Sequence, residues 1–471
     1  MMASAPPAMV LLVSSLVAPC AGMCSRPLPP PSAGLPLVGD TLKILSPKTM
    51  ATYQSDSMRR HGPLWRTRLL FQRAIVVTGA DAMAELAREE AVKPMSAFFP
   101  PQQKALFGPL SLLVNSGAQH SSMRRLVGQA LTPAAVDAYA PAIDAAVDEC
   151  IARCIEQGSS PDGVKLAEEM RRFTLRAGTR LMLGNDAPGD PDAIDALAAD
   201  LTAWSKGLVA PPLFFLPWST AARAVRARRR IEARLGPLVD AARSSAGLAD
   251  PAGSQTRDGT LLVRLARATD EDGNTLERKA VLDNLLTLLF AGSDTTASGL
   301  TSCFRELSQS PSLQGKVRSA VTSRDDEHVN GLLDALLTEV QRCNPPAPFQ
   351  MRLVGEQDLE VGGYRVPANW LVVYGYAGTL LADGQTYTTP GEVDINRWLG
   401  DKPPPNWAFG GGPRMCPGRA LALAESLALL RKVLGSRGFE WRLLPGQDLQ
   451  GRYEPGLFPV DRLQATTLPS Q

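Results

Sequence analysis

Three groups of residues in this chain have the types and spacing to do chemistry. The first is Phe409-Gly-Gly-Gly-Pro-Arg-Met-Cys-Pro-Gly418, which presents one cysteine, Cys416, between a glycine run and a helix-forming stretch. The glycines permit left-handed or closely approached backbone that a Cβ resists. Pro417 follows the cysteine, where a missing N–H costs nothing at a helix start. Arg419 to Leu434 is rich in Ala and Leu, carries cations in its last turn and meets Gly435, so the composition predicts a helix over it. A sulfur at that helix N-terminus meets unpaired N–H groups and the positive end of the dipole, which favours a thiolate, an iron ligand. The plainer reading is a glycine-rich turn around a buried cysteine. A phosphate-cradling loop would want G-K-[ST], which is missing.

The second group, Ala291-Gly-Ser-Asp-Thr-Thr296, stands in the middle of an apolar stretch from about Leu276 to Leu307, with Leu282, Leu285, Leu286, Leu289 and Phe290 on one face. Some 32 residues of helix would span roughly 48 Å, enough to cross a whole domain. Gly, Asp and two Thr are poor choices inside such a helix, and a local rule broken within a strong element is the mark of a functional site. A Thr bonding back to the preceding turn can open a helix locally. The third group pairs charges along helices: His120 with Arg124, four apart, and Glu339 with Arg342, three apart. Taken alone, either pair is an ordinary solvated one.

The pattern F-x-x-G-x-R-x-C-x-G is complete here as Phe409, Gly412, Arg414, Cys416 and Gly418, and it resembles the haem-binding loop of the cytochrome P-450 superfamily. Ala291 to Thr296 is similar to that superfamily's A-G-x-[DE]-T-[TS] element, and Glu339-x-x-Arg342 to its ExxR helix. These three motifs and the His120–Arg124 pair fall in the superfamily's order, and the resemblance covers about residues 35 to 468. It implies haem b with Cys416 as axial thiolate, whose negative charge favours O–O cleavage. It implies Asp294 and Thr295 as the proton-delivering pair, and Arg414, His120 and Arg124 on the haem propionates, with Arg352 a further candidate. Phe409, Gly412 and Gly418 would shape the loop. Glu339, Arg342 and Arg397 would fasten the scaffold, although Ile395-Asn-Arg-Trp398 departs from the usual Pro-Glu-Arg-Phe around that last cation. The fold implied is one large, mainly α catalytic domain over about 41–471 with a small β portion, a long helix above the haem and the cysteine loop beneath it.

Stepping along the chain, residues 1–25 carry no charge, and the apolar run Ala8 to Ala18 is shorter than the roughly 20 residues that span a bilayer. A cleaved targeting segment, a short weak anchor and a disordered tail all stay open, since a basic n-region is lacking. The Pro-rich stretch 26–40 reads as a stiff hinge. Leu64 to Leu70 and Ala74 to Thr78 predict a hairpin, and Gly79-Ala-Asp81 opens a helix. Pro94 to Pro109 reads as a loop of the kind that touches substrate. Residues 132–248 read as mostly helical with a break at 184–191. Pro211-Pro-Leu-Phe-Phe-Leu-Pro-Trp218 reads by default as packed core, or else as an entrance loop dipping toward a membrane. Arg352 to Val354, 358–366 and 370–374 predict strands. Phe439 to Leu444 and Leu463 to Thr467 predict a closing hairpin, with Gly456 to Pro459 reaching the substrate pocket.

A net charge of +2, with Lys and Arg scattered, gives no argument for nucleic acid. Seven cysteines without a CxxC and only three histidines argue against structural zinc and for reduced thiols. With no flavin or nicotinamide fingerprint in the chain, a monooxygenase of this superfamily would take electrons from a separate reductase or ferredoxin, and oxygen from O2. Gly34 to Asp40, Pro211 to Trp218 and Trp441 to Gln447 resemble the branch of retinoic-acid hydroxylases, their cyanobacterial relatives and plant sterol or terpenoid oxidases. The implied substrate is a bulky apolar isoprenoid, and the implied location a membrane surface of the endoplasmic reticulum or plastid. Two other readings compete: a haem-thiolate isomerase or dehydratase acting on peroxides, whose kind commonly lacks the acid–Thr pair, and a non-catalytic haem-binding protein.

Overall fold

The structure is a computed structural model that describes residues 26–46, 48–184, 191–244, 259–322, 326–435, 438–454 and 456–469. The proposed targeting or anchor segment at 1–25 lies outside the described residues, as does most of the break at 184–191. Gly184 itself ends the helix Leu166–Leu183 with φ +84°, a left-handed conformation that a side chain would resist.

The fold is mainly helical with small sheets, as expected. Its centre is the helix Arg278–Gln309, 32 residues long. Leu285, Leu286, Leu289, Leu300, Phe304 and Leu307 on it are buried and belong to the main core. Each such side chain contributes roughly 1.5–3 kcal/mol by leaving water. The helices Leu166–Leu183, Thr220–Ser244 and Asp326–Cys343 pack against it. The helix Arg419–Leu434 also lies against it and ends at Gly435.

The strands are β1 (Leu64–Leu69), β2 (Gln72–Val77), β3 (Met95–Ala97), β4 (Val164–Lys165), β5 (Gln350–Val354), β6 (Leu359–Val361), β7 (Tyr364–Val366), β8 (Leu371–Tyr374), β9 (Phe439–Leu443), β10 (Gly451–Tyr453), β11 (Leu457–Pro459) and β12 (Gln464–Pro469). One sheet runs β1-β2-β8-β5-β3, with β2 and β8 parallel and the other pairs antiparallel. β6 and β7 form a hairpin around Gly362 and Gly363, both left-handed. β9 closes on β12, with β4 on the other side, and β10–β11 is a separate hairpin between them. The tip of β11 reaches the long helix, where Ser298 Oγ donates to Leu457 O at 2.7 Å and accepts from Leu457 N at 3.0 Å.

Two expectations change. Pro94 to Pro109 is no plain loop: β3 pairs with β5, and Pro101–Phe107 is a short helix. Pro101 occupies its first turn, where proline starts a helix instead of breaking one. Pro211 to Trp218 lies outside the packed core, since Leu213, Phe214, Phe215 and Trp218 are all exposed. The Pro-rich stretch is laid on the sheet, with Arg66 N donating to Pro30 O and Ser32 N to Arg66 O, both at 2.8 Å. Among the described residues no helix is long and apolar enough to cross a membrane.

Candidate active site

The cysteine loop is closed by Cys416 N donating to Phe409 O at 2.9 Å. Its glycines are required by contact as well as conformation. Gly410 and Gly412 have φ of 71° and 63°, and a Cβ on Gly411 would lie 2.3 Å from the Trp407 ring. Gly412 to Arg414 make one 3₁₀ turn, and the helix begins at Arg419 with Gly418 as its cap. Pro417 therefore precedes the helix instead of occupying its first turn. Burial pushes the Cys416 thiol up, while the Gly418 N–H, Arg124 and Arg419 pull it back. The helix terminus thus offsets part of the desolvation but does not by itself make a thiolate. A cation at the sulfur would supply the rest.

Beside the loop four cationic or ionisable side chains converge from three elements. His120 and Arg124 come from the helix Gly117–Gln129, Arg352 from β5 and Arg414 from the loop. Arg124 Nη2 donates to Met415 O at 2.7 Å, one residue before the cysteine. Arg414 Nη2 donates to Asn115 O at 2.6 Å. Only Arg352 has an ion pair among the described residues, to Glu90 Oε1 at 2.7 Å, and Tyr374 OH donates to the other oxygen of that carboxylate at 2.7 Å. Burial, then Arg414, Arg124 and Arg352, depress the buried His120 to about 4, and burial followed by Arg352 lowers Arg414 to about 10. Like charges crowded around one carboxylate leave the cluster short of anions. Two propionates are the kind of charge it lacks, so the residues present fit haem.

The Glu339 group is built the opposite way. Arg342 Nε and Nη2 donate to the two oxygens of Glu339 at 2.8 and 2.9 Å, and both side chains are fully buried. Trp398 Nε1 donates to Glu339 Oε2 at 2.8 Å, and Arg397 Nε lies 3.5 Å from Oε1. Arg342 Nη1 also donates to Leu380 O and Pro390 O, at 2.7 and 2.8 Å. These bonds hold the Glu339 carboxyl below its usual range against the desolvation that would raise it. The tryptophan that departs from the family pattern is thus one of the bonding partners.

In the long helix Thr295 Oγ1 donates to Ala291 O at 2.6 Å, the back-bonding anticipated for this turn. Asp294 is raised by burial, and Arg171 opposes that rise from 3.1 Å away. Arg171 also donates to Glu454 O and stacks 3.8 Å over Phe458, so it ties Asp294 to the β10–β11 hairpin. One turn back, Phe290 meets Trp204 and Phe107 at ring distances of 5.4 and 5.7 Å, and Phe99 joins Phe107 at 5.9 Å. Arg171, Glu90 and this aromatic wall carry no local sequence signal. Their partners lie 123 and 262 residues away, as in the Arg171–Asp294 and Arg352–Glu90 pairs.

The cytochrome P450 family profile matches residues 29–465. Abscisic acid 8'-hydroxylase 2 of Arabidopsis thaliana is 26% identical over 92% of this chain and 88% of its own length. Cytochrome P450 26A1 of Gallus gallus is 26% identical over 94% and 90%. The solved structure of retinoic acid bound cyanobacterial CYP120A1 superimposes with a TM-score of 0.81 at 28% identity, covering 94% of this chain and all of that one. The chain belongs to the cytochrome P450 family: it is a haem-thiolate oxidoreductase that incorporates oxygen from O2 with electrons from an outside donor.

Proposed function

We propose that the protein hydroxylates a bulky apolar isoprenoid, of the retinoid, sterol or terpenoid kind, at a membrane surface. One oxygen atom enters a substrate C–H bond, and the other leaves as water with two protons and two electrons from a reductase or ferredoxin. The observation that carries this reading is Arg124. Its guanidinium is bonded beside Cys416 and belongs to a cationic cluster short of carboxylates. Cys416 would ligate the haem iron, and His120, Arg124, Arg352 and Arg414 would hold the propionates. Phe409, Gly412 and Gly418 give the loop its shape. Haem, when bound, supplies the oxygen activation and C–H oxidation.

The protein supplies position and protons. Asp294, its carboxyl raised by burial, takes a proton at its Oδ, and the Thr295 hydroxyl passes one on at Oγ1. Glu339, Arg342 and Arg397 keep the scaffold behind the sulfur rigid. The Phe99–Phe107–Trp204–Phe290 wall suits a large apolar molecule. Two relatives bear on the substrate class, since one is a hydroxylase of abscisic acid and another structure holds retinoic acid.

The test is turnover of the full chain with NADPH, a reductase and a panel of isoprenoids under labelled O2. One labelled oxygen per product is expected. Rapid peroxide rearrangement without any NADPH-dependent product would favour an isomerase and sink this reading.

A further inference from the structure

We infer that the groove between the Pro-rich segment and the β1–β2 hairpin is a binding site for the phosphodiester headgroup of anionic membrane lipid. The groove has a volume of about 350 Å³ and is lined by Arg66, Arg68, Arg73, Trp370 and the turn from Gly34 to Gly39. It is a built feature. Asp40 N donates to Arg68 O at 3.1 Å, and a Cβ on Gly39, at φ +57°, would lie 2.3 Å from that carbonyl oxygen.

Its charges are arranged at a cost to the fold. Arg68 and Arg73 are direct cross-strand partners, and Arg66 lies two residues along β1 on the same face. Like charges directly opposite one another destabilise a sheet. No carboxylate among the described residues pairs with any of the three. Among the described residues the Arg68 side chain donates to Phe71 O alone, at 3.4 Å, and Arg73 rests 5.5 Å over the Trp370 ring. Asp40, whose backbone meets Arg68, spends its buried carboxylate on Thr67, Tyr53 and Lys43. An anion from outside would neutralise the cluster.

The lip of the groove indicates which anion. Leu37 in the groove wall, and Phe71 at the adjoining β1–β2 turn, are 74% and 71% exposed, and both are held at positive φ, 65° and 66°. Apolar side chains standing beside bare guanidiniums match the boundary between headgroups and acyl chains, where a small soluble anion would have no use for them. The apolar run 8–18 ends 13 residues before Pro31 in the groove wall, within a reach of roughly 45 Å. The inference rests on the membrane-surface part of the proposed function and not on the oxidation chemistry.

The test is binding of the full chain to vesicles of phosphatidylcholine, with and without phosphatidylglycerol. Phosphatidylglycerol should tighten binding about a hundredfold, the weight of three near-surface cations, and R66Q/R68Q/R73Q should lose that gain. R68Q alone should lose about fivefold and melt no lower than the parent, because it removes the Arg68–Arg73 repulsion. L37S/F71S should weaken binding to both vesicles. Equal binding of R68Q and parent to phosphatidylglycerol vesicles would overturn the site while leaving membrane association standing. Absence of binding to either vesicle would overturn both. Release by millimolar inorganic phosphate at matched ionic strength would make the groove a small-anion site and sink the lipid assignment.

Discussion

Two clusters of arginine, built from the same residue types in one protein, contrast sharply. Around Glu339, the buried carboxylate is answered from within: two guanidiniums, an indole and a backbone N–H converge on it. Around His120, three guanidiniums and an imidazole share Glu90 alone. A closed network spends its charge on the fold, and an open one keeps charge for a ligand. Loss of a residue from the first should cost stability, and loss from the second should cost cofactor.

The largest effect is expected at the closed network. Glu339→Gln leaves Arg342 buried without its counter-charge, a loss of about 3–5 kcal/mol. Soluble yield should collapse, and any folded remainder should unfold at much lower denaturant. A variant as stable as the parent would show that the pair is ornamental.

Next comes the open cluster. Arg124→Gln or Arg414→Gln removes a charge-assisted bond to a propionate, about 1.5–3 kcal/mol, so haem should pass to an acceptor protein roughly ten- to a hundredfold faster. The haem-free chain should unfold at the same denaturant or slightly more. Faster haem loss accompanied by an equal fall in haem-free stability would erase the distinction between the clusters.

Arg171 stands between the two cases, with one bond to a reactive carboxyl and one to a hairpin. Arg171→Gln should cut product per NADPH about tenfold as the buried Asp294 loses its partner, and should move the pH profile of that ratio upward. Arg171→Lys should recover most of both. An unchanged pH profile would make Arg171 merely a packing residue.

The smallest effect is in pH. The folded His120 titrates at about 4 against an ordinary 6.5, so the unfolded chain binds its proton first as pH falls. Its contribution to stability is complete above about 6.5 and is lost progressively toward 4. Arg414, Arg124 and Arg352 face it in the haem-free chain, and bound propionates would favour its charged form and flatten the slope. Haem-free protein should therefore lose stability across that window more steeply than haem-loaded protein, and His120→Asn should abolish the difference. Parallel slopes would remove His120 from the cofactor site.

What could be read from the chain were the pieces whose information is local. The Cys416 loop, the Ala291–Thr296 turn and the long helix each declare themselves within a few turns of sequence, because glycines, caps and apolar spacing act over that range. Helix ends moved by only two residues, from 276–307 to 278–309. The partners were illegible: Arg171, Glu90 and the aromatic wall acquire meaning only when distant segments meet. Local rules also misplaced the prolines. Pro100 and Pro101 start a helix where their local sequence predicts a loop, and Pro211 to Trp218 holds its aromatics out to solvent although their composition predicts core. The same limit applies to Cys416, where a helix terminus is visible in sequence and the opposing desolvation is not.

The most direct test of the account is the carbon monoxide spectrum of dithionite-reduced protein, taken for the parent and for Cys416→His. The parent should bind haem and show the thiolate-type Soret shift. The variant should retain pigment held by the arginine cluster, lose that shift and lose NADPH-dependent oxidation. A parent without the shift, or a variant that keeps both shift and turnover, would contradict the assignment of Cys416 as the ligand.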